Sequence, residues 1–413
     1  MTNFDTIVLI TGSFPWGGRT EPSFVMPEIE ALSRRCRRLV VMPAIEPEPD
    51  AQHDFKLPEN AEVSRWWIDS ADWRMKWRRV RYMFSPRMVR LLCADSRYRS
   101  VTFAAAAFAF SRSILKFIRT QGIDVHNTLF YSFWFEFPAA GLALASEKTP
   151  LRFISRAHGH DIYTTIALPI KKQTVARSLG LYAASCHGRD FIRGIMPELA
   201  DKIHARILGS VKLYGDKLSS YHSAADKSIT VLSVARVDHP KRVHLNFDML
   251  KALAVARPTM RIRWIHVGDG SQMPMLRERI ASGVPENLEV ELRGAMSNSE
   301  VQRIYVTETV DWSMLLSASE GGNPVAICES LSYGVPVIAT EAGGITESVT
   351  DECALLLSVE PTEEEFVRGM LPYIDSDVRM ESMREVAIRR WKECFCASEL
   401  RERFIDEITA LCL

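Results

Sequence analysis

Two carboxylates, Glu320 and Glu329, bracket a Gly321-Gly322-Asn323-Pro324 turn and a short apolar run in the stretch SASEGGNPVAICES, residues 317–330. A buried carboxylate is costly unless hydroxyls, amides or a cation meet it. The stretch follows a buried-strand pattern, DWSMLLSAS, and Pro324 reads as the first helical residue. Gly334 supplies the stop after Tyr333. At about 100° per residue, Ile327 and Leu331 share the core face and Glu329 looks elsewhere. The amides from Gly321 to Val325 therefore gather at a helix N-terminus, which suits a phosphate. Carboxylates do not bind phosphate themselves, but they accept hydrogen bonds from ribose or sugar hydroxyls beside one.

Other residues fit the same chemistry. Arg236 and Lys241, in SVARVDHPKR, stand on a turn after a strand pattern. Two cations at the carboxyl end of a strand suit a diphosphate, and a guanidinium can hold two oxygens at once. Gly343-Gly344, in EAGGITE, offers a second close backbone approach to an anion. Gly12, Gly17 and Gly18 lie in the loop TGSFPWGGRTEPS after the first strand, but they miss the G-x-G-x-x-G spacing of a dinucleotide site. His158, His160 and Asp161 cluster in SRAHGHDIY. Adjacent side chains on a strand alternate faces and no third ligand stands near them in sequence, so no metal site is expected. Asp375-Ser376-Asp377 reads as a helix cap.

The elements that must carry these residues are short apolar runs alternating with helical patterns. TIVLI (6–10) and RLVVMPA (38–44) flank the amphipathic PSFVMPEIEALSRRC, a βαβ unit and hence part of a parallel sheet. TLFYSF, RFISRAHG, GLYAAS and ARILG continue the series. A second series comprises ITVLSVARV, RIRWIHVGDG, NLEVELRG, VDWSMLLSAS, GVPVIATEAGG and CALLLSV. The polar stretch 210–228 between them reads as a linker. The expectation is α/β: two Rossmann-like doubly wound domains, 1–209 and 229–385, facing across a cleft and binding ligands at the carboxyl ends of their strands.

Composition narrows the classes. Apolar content of 47% and charged content of 25% suit a globular protein, and 413 residues suit two domains. A formal net charge of zero gives no sign of a nucleic-acid partner. Eight cysteines without a C-x-x-C pair read as reduced thiols in a cytoplasmic protein. The N-terminus lacks the pattern of a signal peptide, and VTFAAAAFAF (101–110) is too short to cross a bilayer and reads as a buried helix. Arg65 to Arg99 departs from the rhythm: ten basic residues against three acidic ones, interleaved with Trp and Tyr. That composition suits either peripheral contact with an anionic membrane or a solvated basic helix with a few aromatics tucked into the core; the family resemblance below would place such a membrane contact on the inner face.

Five stretches, in order, carry a resemblance: FPWGG…EPSF, SRAHGHDIY, VLSVARVDHPK, IHVGDG…LRG and SEGGNPVAICESLSYGVPVIATEAGGITE. Together they resemble the retaining GT-B glycosyltransferases of the family 4 type (glycosyl transferases group 1), which build polysaccharides and glycolipids. The resemblance implies a metal-independent transfer of a sugar from a UDP- or GDP-linked donor to a saccharide or lipid-linked saccharide acceptor, with no cofactor. It implies that Arg236 and Lys241 hold the donor diphosphate, that Glu329 binds the ribose and that Glu320 sits at the donor sugar. Gly321, Gly322, Asn323, Pro324 and Val325 would meet the distal phosphate and sugar, His158 would lie near the transferred sugar, and Gly17 and Gly18 would approach the donor phosphates. The first domain would take the acceptor, and residues 386–413 would form a terminal helix returning to it. Here eight residues separate the two glutamates where the family has seven, and Gly322-Asn323 replaces the family's aromatic. A nucleotide-sugar-binding protein of the same fold with weak catalysis is the alternative reading; an epimerase or an NAD-dependent dehydrogenase fits less well.

Overall fold

The computed structural model describes residues 4–16, 21–46, 56–69, 98–166 and 168–411. They form two units: one contains Met1–Arg206 and Arg401–Leu413, the other Ile207–Leu400. Gly17, Gly18 and most of the basic aromatic segment, residues 70–97, lie outside the described residues.

The first unit is built on a parallel sheet of β1 (Phe4–Thr11), β2 (Cys36–Pro43), β3 (Ala61–Val63), β4 (Thr128–Ser132), β5 (Arg152–Ala157), β6 (Gly180–Ala183) and β7 (Ile203–Ala205). Their order is β3-β2-β1-β4-β5-β6-β7. The strands read as unbroken apolar runs because helices cover both faces. On one face Ile7, Leu9 and Leu39 meet Val25, Ile29 and Leu32 of the helix Glu21–Ser33, together with Phe404, Ile405 and Ile408 from the C-terminal segment. On the other, Val8, Ile10 and Val40 meet Phe110, Ile114 and Phe117.

The second unit repeats the plan with β8 (Ser228–Val234), β9 (Arg261–Val267), β10 (Leu288–Leu292), β11 (Trp312–Leu315), β12 (Val337–Thr340) and β13 (Ala354–Leu357), in the order β10-β9-β8-β11-β12-β13. In both sheets the winding reverses beside the first strand, between β1 and β4 and between β8 and β11. Such switch points open a crevice at the carboxyl ends of the strands.

Several sequence expectations change. Residues 210–228 are not a loose linker but part of the second unit. Leu213 N donates to Gln302 Oε1 at 2.9 Å, Ser219 N to Tyr333 O at 3.0 Å, and His222 N to Asp311 Oδ1 at 2.7 Å. The segment's backbone amides are thus taken up by side chains and a carbonyl of the second unit, which its polar composition does not foretell. The strand placed on ARILG lies earlier, at Ile203–Ala205, and β3 is too short for its periodicity to show. The apolar run at 101–110 belongs to a longer helix, Tyr98–Thr120. Its Val101–Thr120 portion is long and apolar enough to cross a membrane, yet 56% of the most apolar window is buried in the protein. At the start of the basic aromatic segment, Trp67 packs inward: its Nε1 donates to Ala44 O at 2.9 Å and its ring lies 5.1 Å from that of Phe110. The C-terminal segment is two helices, Asp377–Arg390 and Ala397–Ala410, joined by a π turn.

Candidate functional site

In the second unit, three loops meet at the switch point between β8 and β11. The loop after β8 carries Arg236 and Lys241, and the loop after β11 carries Glu320 to Asn323. The third, after β12, carries Gly343 and Gly344. Glycines let these backbones touch. A Cβ on Gly343 would lie 2.1 Å from Glu320 O, and one on Gly268, in the loop after β9, would lie 1.8 Å from Ala235 O of the loop after β8. Both residues also hold positive φ, 54° and 146°, where side chains are disfavoured. Gly344 N donates to Glu320 O at 3.1 Å, so this amide joins two loops rather than facing a ligand. Arg242, itself left-handed at φ 44°, donates to Leu316 O and Ser317 O at 3.0 Å each and ties the first loop to the second.

Within this frame Lys241 Nζ is paired with Glu320 Oε1, which also accepts from Ser317 Oγ. The two residues sit 79 positions apart in sequence. Arg236 is nearby in sequence but 75% exposed, and it pairs with Asp238 at 3.1 Å. Asn323 turns the other way: its Nδ2 donates to Ser348 Oγ at 2.8 Å, while its buried Oδ1 has no partner among the described residues. Pro324 is the N-cap and the helix runs Val325–Ser332, one residue later than the sequence reading. Gly334, at φ 71°, ends it as expected.

Glu329 does look away from Ile327 and Leu331, but into protein rather than water. It is buried against Asn298 Nδ2 and Gln302 Nε2, with no cation bonded to it among the described residues. Burial pushes its carboxyl up to about 7, and the two amide donors only partly offset this. Asp375-Ser376-Asp377 is a cap as expected, with Ser376 at the N-cap of Asp377–Arg390.

The first unit gathers a second set of residues at the carboxyl ends of β1, β2, β4 and β5. Around a cavity of about 550 Å³ stand Ala44, Ile45, Trp134, Phe137 and Pro138, with Glu136, His160 and Asp161 on its polar side. His158 caps the short helix Gly159–Tyr163, its ring stacked 5.1 Å from Phe133 and 4.3 Å from Trp134. Neither of its ring nitrogens has a hydrogen-bond partner among the described residues, and Nδ1 stands 3.6 Å from Asp161 Oδ2.

Three functional candidates in this unit escaped the sequence reading. Glu21, at the start of the first helix, accepts from Gly12 N, Ser13 N and Phe14 N at 2.6, 2.7 and 2.9 Å and from Trp134 Nε1 at 2.8 Å. Its carboxylate thus occupies an anion-binding nest made by the loop after β1. Glu136 supplies the third member of a Glu136–His160–Asp161 cluster that no local pattern foretells. Burial and the neighbouring Asp161 carboxyl raise Glu136 above the usual carboxylate range, against the pull of Lys171. For Asp161, burial is outweighed by His158, Lys171 and the Phe135 amide, which hold it low. Lys171 is buried, bonded to Thr165 Oγ1 and Asp161 O, and burial lowers it despite the two carboxylates. A Glu-Pro pair at a helix start was the one available signal for Glu21; the rest are long-range meetings.

Comparison with known proteins matches residues 228–376 to the family described as Glycosyl transferases group 1. A curated relative, a phosphatidylinositol N-acetylglucosaminyltransferase component of Arabidopsis thaliana, is 25% identical over 164 residues, 38% of this chain and 35% of that protein. The chain thus spans about a third of that relative's length. Among solved structures, Anabaena Alr3699/HepE in complex with UDP aligns with a TM-score of 0.63 at 14% identity, over 98% of this chain and 100% of that one. The lipopolysaccharide outer core galactosyltransferase WaaB aligns at 0.67 and 15% identity, over 98% and 99%. Sucrose-phosphate synthase from Thermosynechococcus elongatus aligns at 0.65 and 14%, over 98% and 99%. The resemblance to the group 1 glycosyltransferases and the expected α/β fold of two Rossmann-like units are both borne out.

Proposed function

We propose that this GT-B chain, whose second unit matches the group 1 glycosyltransferases, is a retaining glycosyltransferase that draws its sugar from a nucleoside-diphosphate donor. The observation that carries the reading is the Lys241–Glu320 pair at the switch point of the second sheet, a cation and a carboxylate held together where a ligand binds in such folds. Lys241 and Arg236 take the diphosphate. Glu320 takes hydroxyls of the donor sugar, and the amides around Val325 meet the distal phosphate. Glu329, with Asn298 and Gln302 holding one oxygen, takes the ribose hydroxyls. As the bond between sugar and diphosphate breaks, negative charge grows on the leaving group, and fixed cations and amides stabilise it without reorganising. The acceptor hydroxyl attacks from the same face and its proton passes to the leaving phosphate. His158, whose buried ring nitrogens are unbonded among the described residues, takes a sugar hydroxyl once the donor displaces its cover. The acceptor, a saccharide or lipid-linked saccharide, belongs to the first unit.

Thermal melts with UDP, GDP, ADP and NAD test the donor half. One nucleoside diphosphate, UDP or GDP, at about 100 times its Kd should stabilise the chain by roughly 2.7 kcal/mol. NMR of the product formed from the matching nucleotide-sugar should then show the donor's anomeric configuration retained. Failure of both UDP and GDP to stabilise the folded chain would overturn the reading. Binding without turnover over a broad acceptor panel would favour a sugar-nucleotide-binding protein instead.

A further inference from the structure

Glu21 is buried at the start of the helix Glu21–Ser33, and five donors meet its carboxylate. Four of them, the amides of Gly12, Ser13 and Phe14 and the Ser13 hydroxyl, belong to the loop after β1. A loop that closes on an acidic helix start needs no more than these. The fifth, Trp134 Nε1, comes from beyond β4, 113 positions away, and serves neither the loop nor the helix. A carboxylate offers about four lone-pair sites, so Glu21 is saturated and has nothing left for a ligand. What it does beyond closing the loop is hold Trp134.

That hydrogen bond fixes where the Trp134 ring stands. The backbone of Trp134 is already tied, its carbonyl accepting from Ser132 Oγ at 2.7 Å and Ser155 Oγ at 3.3 Å. The side chain still turns on its own torsions, and Nε1–H is its one polar group. Held by Glu21, the ring lies 4.3 Å from that of His158, and Phe133 lies 5.1 Å from the same imidazole. Neither nitrogen of His158 is hydrogen-bonded among the described residues, and Nδ1 stands 3.6 Å from Asp161 Oδ2, too far for a strong tether. The plane of the imidazole is therefore set mainly by its aromatic neighbours. A series of contacts runs from the loop after β1, through a carboxylate and an indole, to an imidazole at the end of β5.

We infer that Glu21 and Trp134 are positioning residues: through their hydrogen bond, the loop after β1 sets the plane of the His158 ring and leaves its nitrogens for a sugar hydroxyl. The hydroxyl rests on the transferase reading; the link between the three side chains does not. Misplacing a group at a reacting centre by an ångström can cost about a hundredfold in rate, so an indole that swings free is felt in turnover rather than in nucleotide binding.

Imidazole NMR of the full chain, isotope-labelled at histidine and assigned with His158→Ala, tests this. Glu21→Gln keeps the side chain's size and replaces one acceptor oxygen by a donor. Glu21→Asp keeps the charge at the helix start and draws it back from Trp134, which covers the case in which Glu21→Gln fails to fold. In either chain the His158 signals should shift while those of His126 and His204 stay in place. Behind Trp134→Phe, which already lacks the N–H, the same substitutions should change nothing further. UDP or GDP should stabilise the variants as it does wild type. Turnover of UDP-glucose, or of GDP-mannose where GDP is the stabilising nucleotide, should lose at least about tenfold in kcat with KM unchanged. Wild-type His158 signals in folded Glu21 variants would overturn the inference. So would movement of His126 and His204 along with it, the mark of general loosening, or a shift that persists in full behind Trp134→Phe. A displaced His158 with kcat unchanged would overturn its part in turnover. A wild-type chain that neither UDP nor GDP stabilises would remove the transferase reading, while a His158 shift in the Glu21 variants would leave the link standing.

Discussion

At the residue scale, the chemistry turns on charges whose partners are set by folding. Lys241 has only Glu320 as a salt-bridge partner among the described residues, and its side chain is 25% exposed, so removing it leaves a carboxylate that water can still reach. Lys241→Ala should therefore fold normally and lower sugar transfer at least tenfold, the loss of one charge-stabilising group being worth roughly that or more. Wild-type turnover by a well-folded variant would take Lys241 out of the site. Glu329 makes a different prediction. Its carboxyl is raised by burial from 4.5 to about 7. Between those values the folded chain holds a proton that the unfolded chain has lost, so stability falls as pH rises through that window and levels off above about 7. Glu329→Gln should flatten this slope and melt higher than wild type above pH 7, while weakening UDP or GDP binding. A melting temperature that changes between pH 5 and 7 by the same amount in wild type and Glu329→Gln would sink the assignment of that slope to Glu329.

At the element scale, the loops of the second-unit candidate site are held against one another by backbone contacts that only glycine permits. Gly343 combines a left-handed φ with a backbone oxygen 2.1 Å from where its Cβ would be. Gly343→Ala must shift the loop carrying Glu320, at a cost of about 1–3 kcal/mol. Nucleotide affinity should fall along with the melting temperature, because the displaced carbonyl is that of Glu320 itself. Gly283→Ala is the control: it too has a positive φ but nothing within 4 Å, so any loss of stability there should leave nucleotide affinity unchanged. Equal nucleotide affinity in the Gly343→Ala and Gly283→Ala chains would show that the loop contact does not shape the site. The strands and helices that carry these loops were legible because both sheets are parallel and covered on two faces, which writes continuous apolar runs into the sequence. Gly334 and the Ser376 cap were legible for a local reason, since each is fixed by backbone geometry within a few residues. Glu136, Glu21 and Lys171 were not: Glu21 meets Trp134 across 113 positions, and nothing local distinguishes a carboxylate that will fill an amide nest from one on a solvated helix start. The packing of residues 210–228 is hidden for a related reason, since the partners of their backbone amides, Gln302, Tyr333 and Asp311, lie far along the chain.

At the scale of the whole molecule, the chain passes between its units twice, at Arg206–Ile207 and again at Leu400–Arg401. The last residues therefore complete a core begun by the first strand. Phe404, Ile405 and Ile408 pack with Ile7, Leu9 and Tyr131, and the Phe404 ring lies 4.1 Å from the guanidinium of Arg156. Arg156 is fully buried, paired with Glu28 at 2.8 Å, and it donates to Tyr131 Oη at 2.9 Å and to Arg206 O at 2.9 Å. A buried guanidinium of this kind is tolerable only while every face is occupied. Phe404→Ala both empties a core site and uncovers that charge, so it should destabilise the first unit by about 3–5 kcal/mol or more, the lower bound being typical of a buried phenylalanine. Because two units need not unfold together, the measurement is a urea titration followed at two probes. The transition reported by first-unit tryptophans should move to lower urea, while the protection that UDP or GDP gives the second unit persists. A first-unit transition left in place would mean that residues 401–413 rest on that core without belonging to it.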